Sequence, residues 1–100
     1  MSMYYVVYHV SGQVECVDTF GNLVTKDRME RLLGGEVEAM PVKIPRALAL
    51  TSAYFDKHAE YVIIWNDKAS HPNPKWDVPG TAVIVNKKFI EGEVHGEIDD

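Results

Sequence analysis

The sequence predicts an α+β fold: a single small domain whose mixed, mostly antiparallel sheet of about five strands carries one or two helices packed on one face. Three observations carry that reading. Short runs rich in β-branched and aromatic residues recur at 3–10, 14–20 and 61–65. One segment, 25–33, has helical spacing and helical end signals. The length of 100 residues, with 46% apolar and 25% charged side chains, suits one core without general disorder.

Residues 3–10 and 14–20 flank Ser11-Gly12-Gln13, which supplies turn chemistry and makes a β-hairpin. In the second run Val14, Cys16 and Phe20 alternate against Glu15 and Thr19, so Cys16 is expected on the apolar face, as an inert small hydrophobe. Gly21-Asn22 ends the hairpin. Thr25 is an N-cap for a helix with Asp27 in its first turn and Arg31 near its end. Met29, Leu32 and Leu33 give it an apolar stripe, and Gly34-Gly35 stops it.

The alternation at 37–42, broken by Pro41, predicts an edge strand. Residues 44–59 have no clean period, but Pro45 at a helix start followed by Ala47, Leu48, Ala49 and Leu50 favours a helix. Tyr61-Val62-Ile63-Ile64-Trp65 has no polar residue on either face and is expected at the centre of the sheet. Three prolines with Asn66, Asp67, Asn73 and Asp77 make 66–79 the one long loop, and Gly80 opens a last core strand at 81–85.

The formal charge of −5 lies in one place. Residues 1–88 hold ten Lys and Arg against ten Asp and Glu, so the five acids of 89–100 make the whole imbalance. The organisation expected is therefore a domain over 1–88 and an acidic tail or edge strand over 89–100. The neutral body lacks the basic stripe that nucleic acid requires, and it argues equally against a nucleic-acid mimic. Residues 1–10 lack both the positive start of a leader and the roughly 20 apolar residues of a membrane span. With Cys16 alone, no internal disulfide forms, so a reducing, cytoplasmic location is expected.

Chemistry leaves little trace. Paired zinc-ligand spacings, nucleophile elbows and phosphate loops are all missing from the sequence, so no cofactor, metal or catalytic residue is expected. The nearest ligand-like run, Glu93 to Glu97 around His95, would spread its polar groups about 7 Å apart along a strand. Glu36 and Glu38 read as an outward polar face. More informative are Tyr54, Phe55 and Trp76, because Tyr and Trp are enriched at the energetic centres of interfaces; packing the core is the competing reading. Val94 and Ile98, alternating with acids in the tail, are candidates for contact between copies of the chain, a homo-oligomer. Asn66, Asp67 and Asn73 are candidate ligand contacts above the apolar strand, against a competing role in turn capping.

The order Leu32-Leu33-Gly34-Gly35-Glu36-Val37-Glu38, Val62-Ile63-Ile64-Trp65-Asn66-Asp67, Pro72-Asn73 and Val78-Pro79-Gly80-Thr81-Ala82-Val83-Ile84-Val85 resembles the domain-of-unknown-function family 3846. These are small proteins of phages, plasmids and integrated elements. The resemblance spans roughly residues 14–85, with Asp67 where the family favours Glu. It implies a mobile-element origin and no defined reaction. The expectation that follows is a non-enzymatic accessory protein that binds and modulates a host protein, one of a defence system among the options. A small-ligand or nucleotide sponge using the polar loop is the alternative.

Overall fold

The computed structural model of the chain describes residues 3–51 and 54–92. Five strands, β1 (Tyr4–Tyr8), β2 (Val14–Asp18), β3 (Glu38–Val42), β4 (Tyr61–Trp65) and β5 (Ala82–Asn86), form one sheet in the order β2-β1-β5-β4-β3. Every neighbouring pair is antiparallel. Helix α1 (Lys26–Leu33) connects β2 to β3, helix α2 (Arg46–Thr51) lies between β3 and β4, and a 3-10 turn (Lys87–Phe89) follows β5. The fold is α+β, as the sequence predicts.

Local chemistry explains the elements. The β1–β2 turn closes with the His9 N–H donating to Gln13 O at 2.9 Å and the Gly12 N–H to His9 O at 3.0 Å. Thr25 Oγ1 accepts from the Arg28 N–H at 3.2 Å, and Asp27 and Arg31 form an exposed pair at 3.0 Å. Helix α1 stops at Gly34, whose φ of 80° lies in the left-handed region that only glycine enters freely. Its N–H and that of Gly35 both return to Glu30 O. Pro41 sits in β3, an edge strand, where its missing donor breaks no ladder on the open side.

Strand alternation builds two cores. Tyr5, Val7, Val62, Ile64, Val83 and Val85 face one side of the sheet, with Met29 of α1, Val24 and Ile90 packed over them. Val6, Tyr8, Tyr61, Ile63, Ala82 and Ile84 face the other, against Phe55 and the half-buried Leu48, Trp76 and Val78. The two covers differ in kind, and here the arrangement departs from helices on one face. Helix α1 covers the first side while Leu48 of α2 packs on the second, because β1, β4 and β5 are apolar on both sides and each side needs a cover.

Further expectations are corrected. Cys16 is exposed and so are Val14 and, at 85%, Phe20. The inward residues of this stretch are Val17 and Thr19 instead, because β2 is an edge strand whose second side has no cover beyond β1. Leu32 is also exposed, leaving Met29 and Leu33 as the inward residues of α1. β4 is an inner strand, yet the middle of the sheet is β5. The domain runs past residue 88: Ile90 is buried in the first core with Phe89 against it, and Val24 bridges to Ile90 in parallel.

Candidate functional site

The polar loop serves the fold. Asn73 is buried, and its Nδ2 donates to Tyr8 O at 2.9 Å and to Gly80 O at 2.8 Å. Its Oδ1 accepts from the Lys75 and Trp76 N–H groups at 2.9 and 3.0 Å. Both donors and both acceptor positions of the amide are thus taken, which corrects the expectation that Asn73 meets a ligand. Asn66 donates to Leu33 O at 3.1 Å and accepts from the Lys68 N–H at 3.0 Å, capping the end of α1 and its own turn. Asp67 Oδ1 accepts from the Trp65 indole at 3.4 Å on the surface. Asn66 lines a shallow concavity of 280 Å³ beside Leu33 and His71. Gly80 keeps the loop tight: its φ is +73°, and a Cβ there would collide with Ala69.

The aromatic candidates separate. Phe55 is buried against Tyr61, ring centroids 5.2 Å apart and perpendicular, so it is core rather than contact surface. The Tyr61 hydroxyl accepts from the Asp56 N–H at 2.7 Å, pinning the segment that carries Phe55. Trp76 stands edge-on to Tyr8 at 5.4 Å, half-buried, with its indole nitrogen enclosed and without a partner among the described residues. Tyr54 is exposed at 40%, and its carbonyl accepts from the Tyr4 hydroxyl at 3.1 Å. Val94 and Ile98 lie outside the described residues.

These side chains gather on the second side of the sheet. There a groove of 400 Å³ is lined by Tyr8, Val14, Leu48, Tyr54 and Pro74, with His9 and Lys75 at its rim. Tyr54 also lines an adjoining hollow of 290 Å³ beside Tyr4 and Phe55. The groove exists because the cover of this side is short. Helix α2 supplies Leu48, the 72–80 loop supplies Trp76 and Val78, and neither reaches over β2. Sequence reasoning singled out Tyr54 and missed Tyr8, Val14, Leu48 and Pro74. An apolar residue opening an edge strand straight after a glycine turn, as Val14 does, was the available signal.

Reactive groups do not converge here. Cys16 is exposed as a residue, but slight desolvation of its thiol and then Asp18 push it up from the ordinary range, which disfavours the nucleophilic thiolate. His9 Nε2 lies 2.9 Å from Glu15 Oε1 at the surface. Ser70 Oγ lies 3.1 Å from His71 Nδ1 on the neighbouring residue. Among the described residues there is no group of three or more His, Cys, Asp and Glu able to hold a metal ion, and no helix long and apolar enough to cross a membrane. Burial is the main cause that raises the phenols of Tyr4, Tyr8 and Tyr61 on this side and of Tyr5 on the other. No family model, curated protein or solved structure matches the chain.

Proposed function

We propose that this chain is a non-enzymatic binding protein that holds a partner protein on the second side of its sheet, with Val14 and Tyr54 flanking the groove as the contact. The observation that supports this reading most is that groove, an apolar concavity bordered by an exposed tyrosine and an exposed valine. Tyrosine suits such a role because its ring buries a large area at low entropic cost while the hydroxyl stays wet. The occupant that fits is a partner segment presenting one apolar anchor. With the resemblance to mobile-element proteins, the reading extends to a host protein in the cytoplasm as that partner.

The test is capture with purified wild type beside three variants. The expected result is a partner retained by wild type and by Lys43→Glu, and lost with Val14→Asp and with Tyr54→Ala. Identical capture by all four proteins would sink the groove as the contact. Light scattering on the pure wild type distinguishes the remaining occupant: a mass of two copies assigns the groove to self-association.

A further inference from the structure

We infer that the chain carries a second, separate binding site, a cleft for a small amphipathic organic anion with an aliphatic body and one acid head group. The cleft has a volume of 790 Å³ and lies where the end of β3 and the start of β4 meet the segments flanking α2. That volume falls within the range of about 300–1,000 Å³ typical of small-molecule sites. It goes beyond the protein-binding reading, because none of the groove residues named above lines it.

Its floor and its rim differ in chemistry. Val42, Ile44 and Ala59 give an aliphatic floor, all three only half-buried by their packing on the second core. The rim is cationic. Four of the ten Lys and Arg residues line the cleft, Lys43, Arg46, Lys57 and Lys87, against two of the fifteen Asp and Glu, Asp56 and Glu60. Lys87 and Glu60 face each other at 3.9 Å and cancel. Asp56 Oδ1 accepts from the His58 N–H. Lys43, Arg46 and Lys57 have no ion pair among the described residues. A chain of net charge −5 thus concentrates a surplus of positive charge around one apolar hollow.

A concave site of one sign with low-dielectric walls raises the local concentration of the opposite charge. The aliphatic floor then selects among anions, since a bare inorganic ion gains nothing from Val42 and Ile44, and a neutral alkyl chain gains nothing from the rim. Long Lys and Arg stems also let the rim close over an alkyl body while their heads meet the acid group.

Octanoate is the probe, with octanol as the neutral control and inorganic phosphate as the head-group control, each titrated into isotopically labelled protein. Expected are saturable amide shifts at Val42, Ile44 and Ala59 with octanoate, with both controls weaker by about tenfold or more. The Lys43→Glu/Arg46→Glu variant should bind octanoate about tenfold more weakly at an unchanged melting temperature. Lys57→Gln, on a turn outside every helix and strand, serves as the second variant if the double variant fails to fold, and should weaken binding in the same direction. Absence of saturable shifts, shifts centred on Val14 and Tyr54, octanol or phosphate binding as tightly as octanoate, or variants that bind like wild type would each overturn the proposal.

Discussion

The two sides of the sheet are built from the same strands and teach different lessons. On the first, α1 and the Val24–Ile90 bridge seal a compact aliphatic core in which Val24, Met29, Ile64, Val83 and Val85 are fully buried. On the second, Tyr4, Tyr8, Tyr61 and Trp76 lie under a short helix and a proline-rich loop, and Val14, Cys16 and Tyr54 stay exposed. Regular cover buries area efficiently, and the hollow beside it, at Leu33 and Asn66, is shallow at 280 Å³. Irregular cover leaves a groove and a cleft on the side whose anchoring is weaker, the kind of region from which binding surfaces are drawn.

The sharpest way to break that contrast uses two neighbours in one strand. Ile64 points into the first core and Ile63 into the second, and both are buried. Ile64→Ala should cost about 4 kcal/mol, since rigid neighbours on every side keep the cavity open, and Ile63→Ala about 2.5 kcal/mol, since Leu48 sits on a short helix able to settle inward. Urea unfolding of both variants measures the difference. Equal losses, or a larger loss at Ile63, would show that the second side is packed as firmly as the first.

The next effect concerns what holds the irregular cover in place. Asn73→Ala strips partners from Tyr8 O, Gly80 O and the N–H groups of Lys75 and Trp76, and should cost about 2–3 kcal/mol. Asn66→Ala loses one carbonyl partner and one turn contact at a half-exposed site and should cost about 1 kcal/mol. Tryptophan fluorescence distinguishes the two further: it should move with Asn73→Ala, which frees the Trp76 loop, and hold with Asn66→Ala.

How much of this was legible follows from how local each signal is. The hairpin, the Thr25 cap, the Gly34 stop and the continuous apolar run of 61–65 rest on neighbours within a few residues, and the structure has each of them. Pro41 marked an edge strand through its own missing donor. The insertion of β5 between β1 and β4 is a pairing across most of the chain, and no local pattern encodes it. Cys16 and Phe20 were misplaced for the same reason: their apolar character fits an inward face, yet whether a face is inward depends on what covers it. Asn73 shows the converse, a turn-type residue whose burial comes from contacts 65 positions away at Tyr8.

Alkaline pH offers a test with a definite sign. The phenols of Tyr4, Tyr5, Tyr8 and Tyr61 are raised above their ordinary value of 10.0, chiefly by burial, so the folded chain holds those protons more tightly than the unfolded chain. The associated stability is fully present below pH 10.0 and is lost as pH rises through the higher folded values. Urea midpoints should therefore fall above that pH. Three of the four phenols belong to the second side, so Tyr8→Phe combined with Tyr61→Phe should flatten the fall more than Tyr5→Phe does. A fall that none of these variants alters would assign alkaline loss to other groups.

The smallest expected effect on stability bears most on function. Val14 is 45% exposed on an edge strand, and its side chain borders the groove rather than filling a core position. Val14→Asn removes part of an apolar contact that water already reaches, and surface substitutions of this kind change stability by about 0.5 kcal/mol or less. Val7→Asn, one residue before Val14's cross-strand partner Tyr8 and facing the sealed side, places an unsatisfied amide in the first core and should cost several times more, about 3 kcal/mol. The pair separates fold from surface within one hairpin. If Val14→Asn melts at the wild-type temperature and abolishes partner capture, the second side is kept open for contact; if it melts well below wild type, Val14 belongs to the core and the groove is a packing defect.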